Sequence, residues 1–449
     1  MMPGWTRRGA IAGLAATTAA SSALARLPVT PDFHDLAPRP PMGWNSWDSF
    51  AATITESQAR ETASIMAEKL LPAGYDIFTV DIQWYEPGAT GFAYREGAEL
   101  TMDAFGRLLP APNRFPSAVG GAGFRPLADM AHRLGLRFGI HLMRGVPRLA
   151  ADRDLPIEGT RHRCGDIADR VNVCPWNSDM YGVDMSKPGA QVYYDSVFRL
   201  IASWGVDFVK VDDISRPYHR NEPEIEAVRR AIDASGRSMV LSLSPGETPL
   251  SAADHVAAHA NMWRISDDFW DEWPLLLAQF ERLANWAPHR RPGAWPDADM
   301  LPLGLLALGE RRTRFTADEQ RTMMTLWAIA RSPLIMGGDL RALDAATLAL
   351  LANPEVIAVN QRSEDGRQLF REGNRVAWTA REPKTGDRYL ALFNIGDTPA
   401  RVSAPLAGLD LARGASVRDL WANAPLGTVQ ATLGAALPPH GAGLFRLRS

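Results

Sequence analysis

Acidic and aromatic residues recur at the ends of short apolar segments in this 449-residue chain. The clearest case is the stretch from Asp207 to Asp213, where an apolar run ends on Lys210, Asp212 and Asp213. Charged residues at the end of a buried strand indicate a functional role, because burying an unpaired charge costs several kcal/mol. Two carboxylates can cleave a glycosidic bond when one protonates the leaving oxygen and the other stabilises or attacks the anomeric carbon. The residue types therefore indicate glycoside hydrolysis.

Further polar residues stand at the ends of other predicted strands: Trp47, Asp48, Asp81, His141, Arg144, Arg264, Asp267, Asp268, Asp297 and Asp299. The set is mainly carboxylates and contains neither a Ser-His-Asp nor a Cys-His arrangement. No zinc-type spacing of cysteines and histidines is present, so we expect no metal site and no cofactor. Single residues also have simpler interpretations: Asp213 and Asp267 as helix caps or loop residues, and Lys210 as the buried partner of Asp212.

Eight apolar segments alternate with amphipathic ones between residues 38 and 355, which predicts a (β/α)8 TIM barrel. A doubly wound open sheet competes, but it usually carries a glycine-rich loop after its first strand. Here that place holds Trp44-Asn45-Ser46-Trp47, so we favour the barrel. The carboxyl ends of its strands meet at one face, where the polar residues would converge.

From about residue 360 to residue 449 the pattern changes to short strands separated by turns containing Gly and Pro. Residues 376–380, 389–393 and 443–447 are three such strands. This part of the chain predicts a small C-terminal antiparallel β-sandwich.

Residues 1–25 are typical of a signal peptide, with Arg7-Arg8, an alanine-rich apolar run and Ala23-Leu24-Ala25 as the cleavage pattern. The protein should be exported, to the periplasm or outside the cell, by either the Sec or the twin-arginine route. In that environment Cys164 and Cys174 could form a disulfide. A net charge of −3 without a basic block argues against a nucleic-acid partner, and no later apolar run is long enough for a membrane span.

Several motifs resemble those of glycoside hydrolase family 27, the melibiase-type α-galactosidases, in order from about residue 38 to residue 360. They are Pro41-Met42-Gly43-Trp44-Asn45-Ser46-Trp47, Trp204-Gly205-Val206-Asp207-Phe208-Val209-Lys210-Val211-Asp212, Trp263-Arg264 followed by Asp268, Trp295-Pro296-Asp297-Ala298-Asp299-Met300-Leu301, and Ser332-Pro333-Leu334-Ile335.

The resemblance implies a retaining exo-glycosidase with Asp212 as nucleophile and Asp268 as general acid/base, with carboxyl groups about 5–5.5 Å apart. Its substrates would be terminal sugars of oligosaccharides or of plant polysaccharide side chains. His141 stands where the family usually has a substrate-facing tyrosine, and Ser244 lies in a segment that differs from the family pattern. The implied substrate-binding residues are Trp47, Asp81, Ile82, His141, Lys210, Ser244 and Arg264.

One departure from the family pattern concerns the choice of sugar. The family usually places two aspartates after its second strand, which bind the 4- and 6-hydroxyls of galactose. Here Asp81 is followed by Ile82, which accepts no hydrogen bond and would crowd a hydroxymethyl group. The pattern resembles members that act on β-L-arabinopyranosides, which lack that group. Alternatively, Ile82 simply packs behind the site.

Three other functions stay open at this point: an ordinary α-galactosidase, a non-catalytic sugar-binding protein on the same scaffold, and a metal-dependent barrel hydrolase. The presence of both Asp212 and Asp268 argues against the second function, and the lack of a histidine cluster argues against the third.

Overall fold

The computed structural model describes residue 1 and residues 32–411 and 413–449. Within these ranges, eight parallel strands form one sheet in the order β7-β6-β5-β4-β3-β2-β1-β8. Leu301, after β7, pairs with Met336 in β8 and closes the sheet into a barrel, as predicted. The strands are β1 (Met42–Asn45), β2 (Ile77–Val80), β3 (Arg137–Met143), β4 (Phe208–Asp212), β5 (Val240–Leu243), β6 (Met262–Arg264), β7 (Trp295–Asp297) and β8 (Leu334–Met336).

At least one helix follows each strand, and Thr55 and Thr316 open α1 and α7 with capping boxes. The helices are α1 (Glu56–Lys69), α2 (Arg125–Arg133), α3 (Ala190–Ser203), α4 (Tyr218–Ala234), α5 (Ala253–His259), α6 (Trp273–Trp286), α7 (Ala317–Ala330), α8 (Ala345–Leu351) and α9 (Pro354–Arg362). Shorter helices cover Trp47–Phe50, Arg148–Asp152 and Cys164–Ile167.

The alternation along β4 explains why charges appear at its end. Phe208 belongs to a small apolar cluster contributed by the barrel strands, whereas Val209 and Val211 belong to the large core shared with the helices. Successive side chains on a strand point to opposite faces, so Lys210 and Asp212 follow Phe208 on the inner face. The barrel therefore delivers both charges to its open end.

Long loops at the carboxyl ends of the strands form the walls above the barrel. The loop after β2 extends over residues 81–124 with little regular structure. The loop after β3 carries a three-stranded antiparallel sheet of Val146–Pro147, Ala168–Val173 and Met180–Val183. A further hairpin after β7 pairs Leu305–Leu306 with Arg311–Arg312. Neither the sheet nor the hairpin was predicted.

The two cysteines do not form the disulfide that export would permit. Within the described chain, Cys164 and Cys174 are free and buried. The thiol of Cys164 donates to the carbonyl oxygen of Phe105, and the thiol of Cys174 is hydrogen-bonded to the carboxylate of Asp213. The two thiols thus contact different loops, the one after β2 and the one after β4.

After α9 the chain forms the predicted β-sandwich. Within residues 364–411 and 413–448, a six-stranded antiparallel sheet in the order β9-β10-β11-β16-β13-β14 accompanies a two-stranded sheet of β12 and β15. The strands are β9 (Glu364–Glu372), β10 (Arg375–Arg381), β11 (Arg388–Asn394), β12 (Ala400–Pro405), β13 (Ala415–Asp419), β14 (Ala424–Val429), β15 (Thr432–Leu437) and β16 (Ala442–Arg448). An apolar core of its own, including Leu390, Val402 and Leu447, stabilises this part of the chain.

The sandwich packs directly on the barrel, within one compact unit that spans residues 33–449. Phe280 of α6 meets Phe393 of β11 edge to face, and the Trp421 indole N–H donates to the Thr325 hydroxyl. None of the helices in the described ranges has the length and apolar character needed to cross a membrane. The predicted signal peptide, apart from residue 1, lies outside the described residues.

Candidate active site

A pocket of about 490 Å³ opens at the carboxyl ends of the barrel strands. It collects most of the predicted site residues, namely Trp47, Asp81, Ile82, Lys210, Asp212, Arg264 and Asp268. They come from the ends of four strands that are far apart in the sequence, so the convergence follows from the barrel itself.

Asp212 lies on the pocket floor with both carboxylate oxygens engaged. Its Oδ2 is 2.8 Å from Nε2 of His141, and its Oδ1 accepts a hydrogen bond of 2.7 Å from the backbone N–H of Asp213. Burial acts to raise the pKa of Asp212, but the hydrogen bond and attraction of His141, together with the charge of Lys210, lower it below its usual value. The carboxylate is therefore ionised and held in one orientation.

Lys210 pairs with Asp81 across two strands rather than with Asp212. The distance from Lys210 Nζ to Asp81 Oδ2 is 3.0 Å, and the Asn45 amide donates to the same oxygen at 2.7 Å. Burial opposes ionisation of Asp81, but the charge of Lys210 and the attraction of His141 lower its pKa below the ordinary value. Asp81 and Lys210 form a buried ion pair that still lines the pocket.

Arg264 organises the acidic residues on the opposite side. Its guanidinium lies 2.8 Å from Asp299 Oδ2 and 3.3 Å from Asp268 Oδ1. Asp299 is buried, whereas the side chain of Asp268 is 55% exposed. Asp268 therefore sits at the mouth of the pocket, within reach of a fixed cation.

Two further aspartates in this region have a raised pKa. Burial and the negative charge of Asp299 raise the pKa of Asp297 to about 7 and that of Asp48 well above its usual range. Asp48 lines the pocket, and its Oδ2 has no hydrogen-bond partner among the described residues. A raised pKa favours the protonated carboxyl, which can donate a hydrogen bond to a substrate hydroxyl. Sequence reasoning noted Asp48 but assigned it no role.

The placement of His141 differs from the prediction. Its side chain is 0% exposed, and His141 is not among the described residues that line the pocket. In register it pairs with Lys210, whereas Met143 pairs with Asp212, so His141 lies deeper than the carboxylate it binds. His141 positions Asp212, and its predicted contact with the sugar stays a prediction.

Ser244 also differs from the prediction. Its side chain is buried, and its neighbour Pro245, not Ser244 itself, contributes to the pocket wall in the described structure. Its backbone holds the end of β5, since the N–H donates to Val211 and the carbonyl accepts from Ile214. Its hydroxyl has no hydrogen-bond partner among the described residues, and the contact predicted between this serine and the sugar stays a prediction.

Asp213 and Asp267, for which simpler roles were considered, are both loop residues at the pocket. Asp213 forms an ion pair of 2.9 Å with buried Arg144, and burial raises its pKa to about 6. Asp267 is 65% exposed and pairs with Arg216 at 2.8 Å. Neither begins a helix, since Pro217 caps α4 and Glu272 caps α6.

An aromatic wall surrounds the mouth, and only Trp47 of its members was predicted. Tyr94 stacks on Trp47 with ring centroids 6.1 Å apart, and Phe92 meets Trp47 edge to face. Trp176 packs against Tyr94, and Trp270 packs against Phe92. These rings come from the loops after β2, β3 and β6. The unusual length of the first two loops is the signal from which the sequence would have allowed a functional role to be predicted.

Ile82 lies directly after Asp81 at the end of β2. Its side chain is 2% exposed and lines the pocket beside Asp81 and Trp47. Its backbone N–H donates to Asp81 Oδ1 at 2.9 Å, which fixes the backbone at this turn. The pocket therefore presents an apolar branched side chain at this point.

Comparison with known proteins identifies the relatives of this chain. The family model for α-galactosidase A matches residues 177–362, and that for the α-galactosidase C-terminal β-sandwich domain matches residues 372–447. An α-galactosidase from Coffea arabica is 30% identical over 416 residues, covering 91% of this chain and 93% of the relative. A family 27 β-L-arabinopyranosidase from Geobacillus stearothermophilus has a solved structure with a TM-score of 0.91 and 51% identity, covering 93% of this chain and 98% of that one.

The chain belongs to glycoside hydrolase family 27. A second protein of known structure, described as a putative α-N-acetylgalactosaminidase from Bacillus halodurans, is 46% identical with a TM-score of 0.83, covering 91% of this chain and 97% of that one. The protein is therefore a glycosidase that hydrolyses O-glycosyl bonds, and the predicted family and enzyme class are confirmed.

Replacing Lys210 with methionine should lower the free energy of unfolding at pH 7 by about 3–5 kcal/mol, because Asp81 would stay buried without its cation. The pKa of Asp81 is lowered in the folded state, so its ionised form stabilises the fold above about pH 4, and that stabilisation is lost as the pH falls through the folded pKa. Urea unfolding should therefore show a difference between wild type and Lys210→Met that narrows below about pH 4.

Lys187→Met is the matched control, because Lys187 is 52% exposed and lies 3.8 Å from Asp184. It should change the free energy of unfolding by less than about 0.5 kcal/mol. A Lys210→Met protein as stable as wild type at pH 7 would show that the buried pair does not stabilise the barrel.

Proposed function

We propose that this family 27 enzyme is a retaining exo-glycosidase that prefers terminal β-L-arabinopyranosyl residues and acts more weakly on terminal α-D-galactosyl residues. The observation that carries the proposal is the apolar side chain of Ile82 in the pocket wall beside Asp81. The two sugars share their ring stereochemistry and differ only in the hydroxymethyl group. Because this wall offers no hydrogen-bond partner to the hydroxymethyl group, the pocket favours the sugar without that group.

In the first step Asp212 attacks the anomeric carbon while Asp268 gives its proton to the departing glycosidic oxygen. The bond to the leaving group breaks, and a covalent glycosyl ester forms on Asp212. The lowered pKa of Asp212 and its bond to His141 support a nucleophile that is ionised and aimed before substrate arrives. The exposed position of Asp268 beside Arg264 supports proton exchange at the mouth.

In the second step water attacks the anomeric carbon, and Asp268 accepts the proton of that water. The ester bond breaks and Asp212 leaves as a carboxylate. Two inversions at the same carbon yield a product with the configuration of the substrate. Against the effect of burial, His141 and the charge of Lys210 lower the pKa of Asp212, which supports its departure as a carboxylate.

The remaining pocket residues make polar and apolar contacts with different parts of the sugar. Trp47 offers a ring face for stacking, braced by Tyr94 and Phe92. Lys210 and Asp81 reach ring hydroxyls, and Arg264 reaches the hydroxyl at carbon 2. Because the aromatic rings from three loops enclose the mouth, the pocket favours a single terminal sugar.

The discrimination at Ile82 has an expected size. A polar group left without its partner in a built site costs about 1–3 kcal/mol, which is a factor of about 5–150 in rate. The β-L-arabinopyranosidase from Geobacillus stearothermophilus was also solved in complex with arabinose. Its 50% identity to this chain supports the assignment of the pentose.

Asp212→Ala should lower kcat/KM by about 10⁴-fold or more, because the covalent intermediate no longer forms. Sodium azide should restore turnover by entering the space of the lost carboxylate, and the glycosyl azide should have the opposite anomeric configuration to the substrate. Asp184→Ala, which changes an exposed turn, is the matched control and should keep wild-type rates. Full activity of Asp212→Ala would contradict the assignment of the nucleophile.

Ile82→Asp should raise the ratio of α-D-galactoside to β-L-arabinopyranoside kcat/KM by about tenfold or more, because the new carboxylate accepts a hydrogen bond from the 6-hydroxyl. Ile82→Val, which keeps the wall apolar, should change the ratio by less than about threefold. The measurement is initial rates on the two p-nitrophenyl glycosides. An unchanged ratio in Ile82→Asp would show that this side chain does not read the hydroxymethyl group.

A further inference from the structure

We propose that Glu226, His255 and His259 form a binding site for a divalent transition-metal ion, represented by Zn²⁺, on the outer wall of the barrel. Glu226 lies on α4, and the two histidines lie on the neighbouring α5. One ligand atom from each of the three residues falls within 4.8 Å of the others. None of them lines the substrate pocket as described, so this site is separate from the glycosidase chemistry.

The spacing of the ligand atoms fits tetrahedral zinc. Oε1 of Glu226 and Nε2 of His255 are 3.5 Å apart, and the rings of His255 and His259 have centroids 4.4 Å apart. Ligands at about 2.0–2.1 Å from a tetrahedral ion lie about 3.3–3.4 Å from one another. The first pair already has this separation, and the ligand atom of His259 lies within 4.8 Å of the other two. Water would fill the fourth position.

The second nitrogen of each imidazole is fixed by a partner, as is usual for metal-binding histidines. Nδ1 of His255 lies 2.9 Å from the Tyr218 hydroxyl, and Nδ1 of His259 lies 2.7 Å from the backbone oxygen of His255. Both histidines thus keep Nε2 for a ligand role. The ring orientation is set by the protein before any ion binds.

Nε2 of His255 supplies an independent observation. This atom is shielded from solvent and, among the described residues, makes no hydrogen bond of good geometry. Its nearest acceptor, Oε1 of Glu226, is 3.5 Å away. A buried imidazole nitrogen without a partner costs free energy. A metal ion between Nε2 and Oε1 would satisfy both atoms.

The carboxylate of Glu226 is also prepared for this role. Arg230 donates to its Oε2 at 3.1 Å, which orients the group and leaves Oε1 facing the histidines. The histidines are four residues apart on α5 and so lie on the same face of that helix. The ligand from α4 is distant in the sequence, which is why the expectation of no metal site missed this cluster. A bound ion would link two outer helices and stabilise the folded state.

The test uses the full-length protein without an affinity tag, after chelation and removal of the chelator. Calorimetric titration with ZnCl2 should show one ion per chain, and thermal melts should rise with zinc concentration. CoCl2 should give the visible absorption of a tetrahedral site. His259→Ala and Glu226→Gln should each weaken zinc binding at least tenfold, and Tyr218→Phe should weaken it about tenfold by releasing the His255 ring.

His219→Ala is the matched control. His219 forms a similar pair with Glu222 on α4, at 2.8 Å, but its side chain is 65% exposed. Among the described residues, no third metal-ligating side chain completes a cluster with this pair. His219→Ala should bind zinc as wild type does. The proposal is overturned if the wild-type protein binds no zinc. It is also overturned if Glu226→Gln and His259→Ala bind zinc with unchanged affinity; Glu226→Gln keeps the shape of the side chain.

Discussion

Two cations that line the pocket, Lys210 and Arg264, hold the acidic end of the barrel together. Lys210 pairs with Asp81, and Arg264 pairs with Asp299 and Asp268. Without these cations, several carboxylates would be buried close together. The free-energy cost of burying them unpaired would exceed the free energy of unfolding of an ordinary domain. With the cations, the pKa values separate: those of Asp81 and Asp212 fall, whereas those of Asp48 and Asp297 rise. Carboxyl groups in different charge states thus lie close together, and Asp212 is kept ionised, as a nucleophile requires.

The sequence allowed the fold and the floor of the pocket to be predicted because both follow local rules. The two-residue period of β4 places Lys210 and Asp212 on the inner face, and a parallel barrel brings all strand ends to one side. The capping box at Thr316 marked the start of α7 correctly. Family motifs then assigned roles to these residues, and family membership is confirmed by the comparisons.

The sequence did not allow us to predict how deep a side chain lies in the barrel, or which residues from distant parts of the chain come into contact. His141 was expected to face the sugar, but its strand register places it below Asp212, and register depends on how the barrel closes. The aromatic wall of Phe92, Tyr94 and Trp176 comes from loops with little periodic pattern, so no local rule locates those rings. The same limit applies to the outer cluster, where Glu226 joins two histidines from another helix.

The central claim is that the apolar wall at Ile82 selects a sugar without a hydroxymethyl group. The most direct measurement is kcat/KM of the wild-type enzyme on p-nitrophenyl β-L-arabinopyranoside and on p-nitrophenyl α-D-galactopyranoside under identical conditions. We predict that the arabinopyranoside is preferred by about tenfold or more, since one unsatisfied polar group costs about 1–3 kcal/mol. Equal values, or a preference for the galactoside, would contradict the claim.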